Sequence, residues 1–406
     1  MARIRPFRGL RPAPQIAGEV IAPPYDVMSE SEARTMVGDN PHSFLRVTRP
    51  EVGLEPGSDA HGDEAYLLAR SALDALISNG VLVQEDREAF YLYSQVMGEH
   101  RQAGLMALCS VDEYDSGKIK RHEFTRPDKE QDRVNHIQMT SAQTGLVFLA
   151  YRRKEGIEAL QEQVLAGEPL FRVTTPDGVE HTLHVIADPT EVAAWRDAFE
   201  DVEALYIADG HHRSAAASRV SELRNGEGGA DSFLAGVFPD DQLFVMAYNR
   251  VVEDLSGQST ADFMQAVKQV FDVTSGVGPA PESRGEIHMY LGGEWFGLQP
   301  KPGLVDTTDP VASLDVAVLQ DHLLDPILGI EDPRRDMRIR FVGGIRGPQA
   351  ISNAVDKGEA AVGFSLFPTG LDQLFSVADS GAVMPPKSTW FEPKLAGGVV
   401  VHRLED

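Results

Sequence analysis

The sequence predicts an α+β protein on three observations: short apolar runs bounded by glycine and proline, separate stretches with apolar residues at helical spacing, and Gly-rich joints between them. A chain of 406 residues exceeds one ordinary domain and predicts two or three packed lobes. Apolar residues at 42% and charged residues at 24% are a normal globular balance. The main border is placed at the Gly-rich joint near 226, giving lobes 1–225 and 226–406, with a second loose joint near 278.

The elements follow in order. Residues 1–50 are Pro-rich and irregular, ending in a strand over Phe44-Leu45-Arg46-Val47. Ala65, Leu68, Ala69, Ala72, Leu73 and Leu76 recur at helical spacing over 64–78, and Asn79-Gly80 stops that helix. The runs 89–94 and 103–108 read as paired strands with a turn near Gly98. A strand at 144–151 and a helix at 155–166 come next. Pro176-Asp177-Gly178 then joins 171–175 to 181–186 as a hairpin. Residues 189–200 read as a helix, Ala204 to Ala208 as a central buried strand, and His211 to Leu223 as an Ala-rich helix. Beyond the linker the pattern gives strands over 243–252, a helix at 260–271, a helix near 313–328, a strand at 338–342, a helix at 348–357 and a strand at 360–366. No internal repeat interrupts this mixture.

Charge and cysteine usage narrow the function classes. A net charge of −25 repels polyanions and speaks against nucleic acid as a partner, while leaving room for one local basic pocket. A single cysteine, Cys109, allows no intrachain disulfide and fits a reducing compartment. The N-terminal residues lack the apolar run of a signal peptide, and no run of about 18 apolar residues predicts a spanning helix. The expectation is a cytoplasmic protein without a membrane partner. Its oligomeric state is not readable from the sequence, and a homo-oligomer stays open.

Four constellations could carry chemistry. In Ala208-Asp209-Gly210-His211-His212-Arg213 a strand ends in glycine and opens into a helix, exposing unpaired N–H groups at the positive end of the helix dipole. Gly210 permits close approach, Arg213 can fork onto phosphate oxygens, and Asp209 is placed to hold Mg²⁺ or a ligand hydroxyl. The same pattern also reads as a plain turn with Asp209 as a helix cap. The second, Arg121-His122-Glu123-Phe124-Thr125 followed by Lys129, Asp132 and Arg133, predicts a Thr125/Asp128 capping box. It also puts Lys129 and Arg133 on one helix face, which reads either as a solvated charged face or as phosphate contacts with Glu123 or His122 as general base. The third, Ala22-Pro23-Pro24-Tyr25-Asp26-Val27, stiffens a loop bearing Tyr25 and Asp26. The fourth is the Pro-rich run from Met384 to Lys394, which carries Lys387, Ser388 and Thr389. Cys109 lies in an apolar strand and reads as core.

Taken together, Ile4-Arg5-Pro6-Phe7, Pro23-Pro24-Tyr25-Asp26-Val27, His122-Glu123-Phe124-Thr125 with Lys129 to Arg133, the 208–213 turn and Pro385-Pro386-Lys387-Ser388-Thr389 resemble the family catalogued as domain of unknown function 1015. The Asp-Gly-His-His-Arg element is also similar to the phosphate-binding box of the group containing ParB-like nucleotide-binding proteins, sulfiredoxin and SerK-type free serine kinases. The resemblance implies a ParB/sulfiredoxin-like nucleotide-binding core in 1–225 with added mixed α/β lobes. It implies an ATP- or ADP-dependent kinase with Mg²⁺ that converts free L-serine to O-phosphoserine. Gly210, His211, His212, Arg213, Lys129 and Arg133 would then bind phosphate, Glu123, Asp209 and His122 would serve catalysis, and Asp209 would hold the metal. Tyr25, Asp26, Lys387, Ser388 and Thr389 would bind the amino acid. The alternatives are a nucleotide sensor or scaffold without turnover and a phosphohydrolase on the same turn. The sequence lacks the Walker lysine motif and the protein-kinase set.

Overall fold

The run Leu105 to Cys109 is apolar at every position, and both faces of its strand are covered. The computed structural model describes residues 2–405. The chain is mixed α/β and divides into two units, Met1–Leu243 with Pro393–Asp406, and Phe244–Glu392. The expected border at 225/226 falls inside the first unit, between the His211–Leu223 helix and the Ser232–Pro239 strand.

Among the described residues the first unit is built on a nine-stranded sheet. Its order runs Ile119–Lys120, Leu205–Asp209, Val147–Tyr151, Ser232–Pro239, His100–Ser110, Phe90–Met97, Glu180–Ile186, Phe171–Thr174, with Ile4–Arg5 also pairing His100–Ser110. Most pairings are antiparallel; Ser232–Pro239 runs parallel to Val147–Tyr151, and Leu205–Asp209 parallel to Ile119–Lys120. The expected hairpins at 89–108 and 171–186 form, the first with a tight turn in which Gly98 takes φ 60°. One face of the sheet packs Leu92, Leu105, Leu149, Ile207 and Val237 with Trp195 and Phe199 of the Pro189–Phe199 helix into a continuous core. At about 25 cal/mol per Å² of apolar surface buried, such side chains contribute roughly 2 kcal/mol each.

A second cluster gathers Leu10, Phe44, Leu45, Val47, Leu73, Leu76 and Val401 beneath the Asp63–Ser78 helix. Here one expectation is corrected: Leu45–Thr48 is a short helix, not a strand. Four apolar positions fit a helical turn as well as a strand, and Phe44, Leu45 and Val47 are all buried from one turn.

The second unit, among the described residues, is a six-stranded antiparallel sheet ordered Phe271–Ser275, Glu294–Pro300, Ile287–Leu291, Val362–Leu366, Tyr248–Val252, Ile339–Gly343. The Gln349–Asp356 helix covers part of it through Ile351 and Ala354. The expected helix over 313–328 is shorter, Asp315–Leu319, and continues as a single widened turn, Gln320–Leu324. The strand expected over 243–252 breaks into Phe244–Met246 and Tyr248–Val252. Among the described residues no helix is long and apolar enough to cross a membrane.

Candidate functional site

The strand Leu205–Asp209 ends on a bulge. Ile207 pairs with Leu149 and Asp209 with Phe148, so Ala208 is extra on its strand. A bulge re-aims the side chain that follows it. Gly210 comes next with φ 101°, a conformation that costs a side-chain-bearing residue, and opens the His211–Leu223 helix. The Gly210 carbonyl accepts the amides of Arg213 and Ser214 at 2.9 and 3.0 Å.

Arg213 is buried at this turn. Its Nη2 donates to Asp209 Oδ2 at 2.7 Å. The other carboxylate oxygen, Oδ1, lies 3.7 Å from Lys394 Nζ. Burial works to raise the Asp209 pKa, but Lys394, Arg213 and His211 outweigh it and hold the carboxyl well below the usual range. Two glycines leave room for Arg213: a Cβ on Gly210 would meet its Nε at 2.8 Å, and one on Gly145 its Cδ at 3.2 Å.

The adjacent histidines hold a loop. His211 Nε2 accepts the His122 N–H at 3.5 Å, and His212 Nε2 accepts the Arg126 N–H at 3.0 Å. Each ring accepts only in its neutral form, with the proton on Nδ1. Burial, with His122 as its neighbour, drives the His211 pKa far down. His211 Nδ1 faces Glu123 Oε2 at 4.0 Å, and Glu123 is half-buried. His122 is fully buried, edge-on to His211 with ring centroids 4.6 Å apart; burial takes its pKa to about 4.

The Pro127–Thr140 helix brings in Arg133. The expected Thr125/Asp128 capping box does not form: Arg126 is the cap residue and makes no side-chain cap bond, while the Thr125 hydroxyl donates to Glu130 at 3.1 Å. Arg133 Nε and Nη2 donate to Asp132 Oδ2 at 2.9 and 2.6 Å. Asp132 Oδ1 also accepts from the Tyr66 hydroxyl at 2.8 Å and lies 2.7 Å from His61 Nδ1. The Arg133 guanidinium stacks 4.2 Å from the Tyr25 ring centre. Lys129, one turn earlier on the same helix, is exposed, so the shared face places only Arg133 inward.

Of these groups Tyr25, Arg133 and Arg213 border a cleft that His136, Thr144 and Gly145 also line. Arg49 pins the Tyr25 loop by donating to the carbonyls of Tyr25 and Met28, both at 2.7 Å. Burial raises the Tyr25 pKa against the opposing pull of Arg133, so the phenol is protonated at neutral pH. Asp26 is exposed.

Lys387, Ser388 and Thr389 belong to the second unit. There Lys387 takes φ 59°, and buried Arg250 donates to the carbonyls of Pro386 and Lys387 at 3.2 and 3.1 Å. Lys394, by contrast, is a first-unit residue that the sequence reading left out of the site; its only local signal was its place at the end of the Pro-rich run.

The expected metal role of Asp209 does not fit this donor set. Both its oxygens face cations, and among the described residues no group of three or more His, Cys, Asp or Glu is placed to hold a metal ion.

Comparison with known proteins gives a family. A profile described as "Protein of unknown function (DUF1015)" matches residues 4–317. No curated protein matches the chain. Similar solved structures include a free serine kinase variant in complex with AMP, at 14% identity and TM-score 0.35, covering 70% of this chain and 86% of that one. A conserved hypothetical protein from Pyrococcus furiosus aligns at 14% identity and TM-score 0.35, covering 71% of this chain and 92% of that chain. SbnI with a C-terminal truncation, from Staphylococcus aureus, aligns at 11% identity and TM-score 0.38, covering 71% and 84%. Likeness at this level assigns no activity to the chain.

Proposed function

The chain belongs to the DUF1015 family of proteins of unknown function, and from that footing we propose that it is a nucleotide-dependent phosphotransferase whose acceptor is free L-serine. The observation that carries the reading is Arg213: a guanidinium buried at the open start of a helix, anchored on Asp209 and lining the same cleft as Arg133. Two arginines on a cleft beside the start of a helix favour an anion with several oxygens, and phosphate fits that fork geometry. The strand–turn–helix over 205–223 is the part we assign to a ParB/sulfiredoxin-like nucleotide-binding core.

In this reading ATP or ADP places its phosphates against the amides of His211 and His212 and against Arg213. Arg133, held flat on Tyr25 by Asp132, adds the second fork. Glu123 takes the serine hydroxyl proton as the serine oxygen bonds to the terminal phosphorus and the bridging P–O bond breaks. Tyr25 and Asp26 are assigned to the amino acid. His211 and His212 hold the Glu123 loop in place and take no part in proton transfer. Lys129 is left outside the site because it is exposed. Magnesium enters as the counter-ion of the nucleotide, outside the protein's own donor set.

Purified protein is incubated with L-serine, Mg²⁺ and either ATP or ADP, and O-phosphoserine is read by mass spectrometry. Product from wild type, reduced at least about a hundredfold by Arg213→Met, is the expected result. Saturable nucleotide binding with no product removes the kinase and leaves a nucleotide sensor. Inorganic phosphate released without phosphoserine points to a phosphohydrolase.

A further inference from the structure

Asp209 meets two cations, although one would neutralise it. Arg213 makes the short bond at 2.7 Å, and Lys394 stands off at 3.7 Å from the other oxygen. One carboxylate thus stands against both an arginine and a lysine at this turn.

The lysine is placed there by its backbone. Gln95 and Gln102 face each other across the Phe90–Ser110 hairpin and are both fully buried. Gln95 Nε2 donates to the Lys394 carbonyl at 2.8 Å. Gln102 Nε2 donates to the Pro393 carbonyl at 3.1 Å and to Gln95 Oε1 at 2.9 Å. Two interior amides thus spend their donors on consecutive carbonyls, which fixes where the Lys394 side chain starts. Further on, Gly397 and Val401 exchange backbone bonds with Ala22 and Leu10, so the segment is tied on its C-terminal side as well. The Lys394 side chain is only 15% exposed. A lysine used for solubility needs none of this.

We propose that Lys394 is a phosphate-binding residue of the turn, with Asp209 as its holder until phosphate arrives. The proposal rests on the phosphate reading of 209–213. Its chemistry follows from the sharing of one carboxylate by Arg213 and Lys394. When an anionic phosphate reaches the start of the helix, Lys394 turns from Asp209 to a phosphate oxygen, and Asp209 keeps Arg213 and is not left unpaired. An ammonium is suited to this because it is a compact charge with three rotatable donors, whereas the Arg213 fork is fixed by its bond to the carboxylate. The ligand class is a nucleoside di- or triphosphate. Lys394 does not line the cleft of Arg133, Arg213 and Tyr25; it meets the turn at Asp209.

The test is calorimetric titration of ADP into wild type, Lys394→Met and Lys394→Arg, with circular dichroism and thermal melting of each protein without ligand. Lys394→Met is expected to weaken ADP binding roughly ten- to hundredfold, the range for losing one charge-assisted hydrogen bond. Lys394→Arg is expected to fold and to recover most of the affinity, because the charge is kept. Wild-type ADP affinity in a folded Lys394→Met protein overturns the proposal. So does a folded Lys394→Arg protein as weak as Lys394→Met, since packing and not charge would then be the need. If Lys394→Met does not fold, the Lys394→Arg titration decides alone. Failure of wild type to bind ADP at all is a different result, and it sinks the phosphate reading itself.

Discussion

The backbone N–H of Arg126 donates to Nε2 of His212 at 3.0 Å, across 86 residues of chain. With the parallel bond from the His122 N–H to His211, it makes the two adjacent histidines a clip for the loop that bears Glu123. His212→Phe removes the acceptor and keeps the bulk. It should cost about 1–2 kcal/mol and speed hydrogen exchange at the Arg126 amide, read by NMR or mass spectrometry. Unchanged protection at that amide would show that the loop is held by other means.

Acid should destabilise the first unit through its buried imidazoles. Burial takes His122, His136, His181 and His402 each to about 4. Their folded-state values lie below the unfolded value, so between about pH 6.5 and 4 the unfolded chain binds more protons. The stability they contribute is present above pH 6.5 and is lost as pH falls toward 4, by up to roughly 3 kcal/mol per group. Urea midpoints across that window should fall steeply, and His136→Gln should flatten the slope. A pH-independent midpoint from 6.5 to 4.5 would contradict the assignment.

Gly210→Ala is expected to injure binding more than folding. The φ of 101° costs a side-chain-bearing residue about 1–3 kcal/mol, and the new methyl would stand 2.8 Å from Arg213 Nε. ADP titration should show a loss of at least about tenfold while thermal melting shows a moderate drop. Equal losses in both would make Gly210 a purely structural residue.

Asp132→Asn strips Arg133 of its ionic partner and His61 and Tyr66 of their acceptor oxygen's charge. With Arg133 only 12% exposed, the change should cost about 3 kcal/mol. It should also loosen Arg133 from the Tyr25 ring, which near-ultraviolet circular dichroism would register. A cost under about 0.5 kcal/mol would place Asp132 among ordinary surface ion pairs.

The parts of this molecule that were legible in the sequence are the local ones. The strand–glycine–helix at 205–223 could be read because an apolar run, one glycine and an Ala-rich stretch are all adjacent. Lys394 could not, since it lies 185 positions beyond Asp209 and is brought there with the help of two glutamines on a distant hairpin. Lys129 and Arg133 share a helix face as their spacing says. Spacing carries no depth, however, and the Pro127–Thr140 helix starts in solvent and turns inward only near Asp132. The strand expected at Phe44–Val47 failed for a related reason: a short apolar run records burial and not the backbone shape that achieves it.

The return of Pro393–Asp406 to the first unit has a bearing on synthesis. A ribosome delivers the nine-stranded sheet early, yet the partner of Ala142–Gln143, the bonds to Leu10 and Ala22, and Lys394 itself emerge only after the whole of Phe244–Glu392. Nascent chains therefore carry Asp209 and Arg213 without Lys394, and products clipped before Pro393 never gain it.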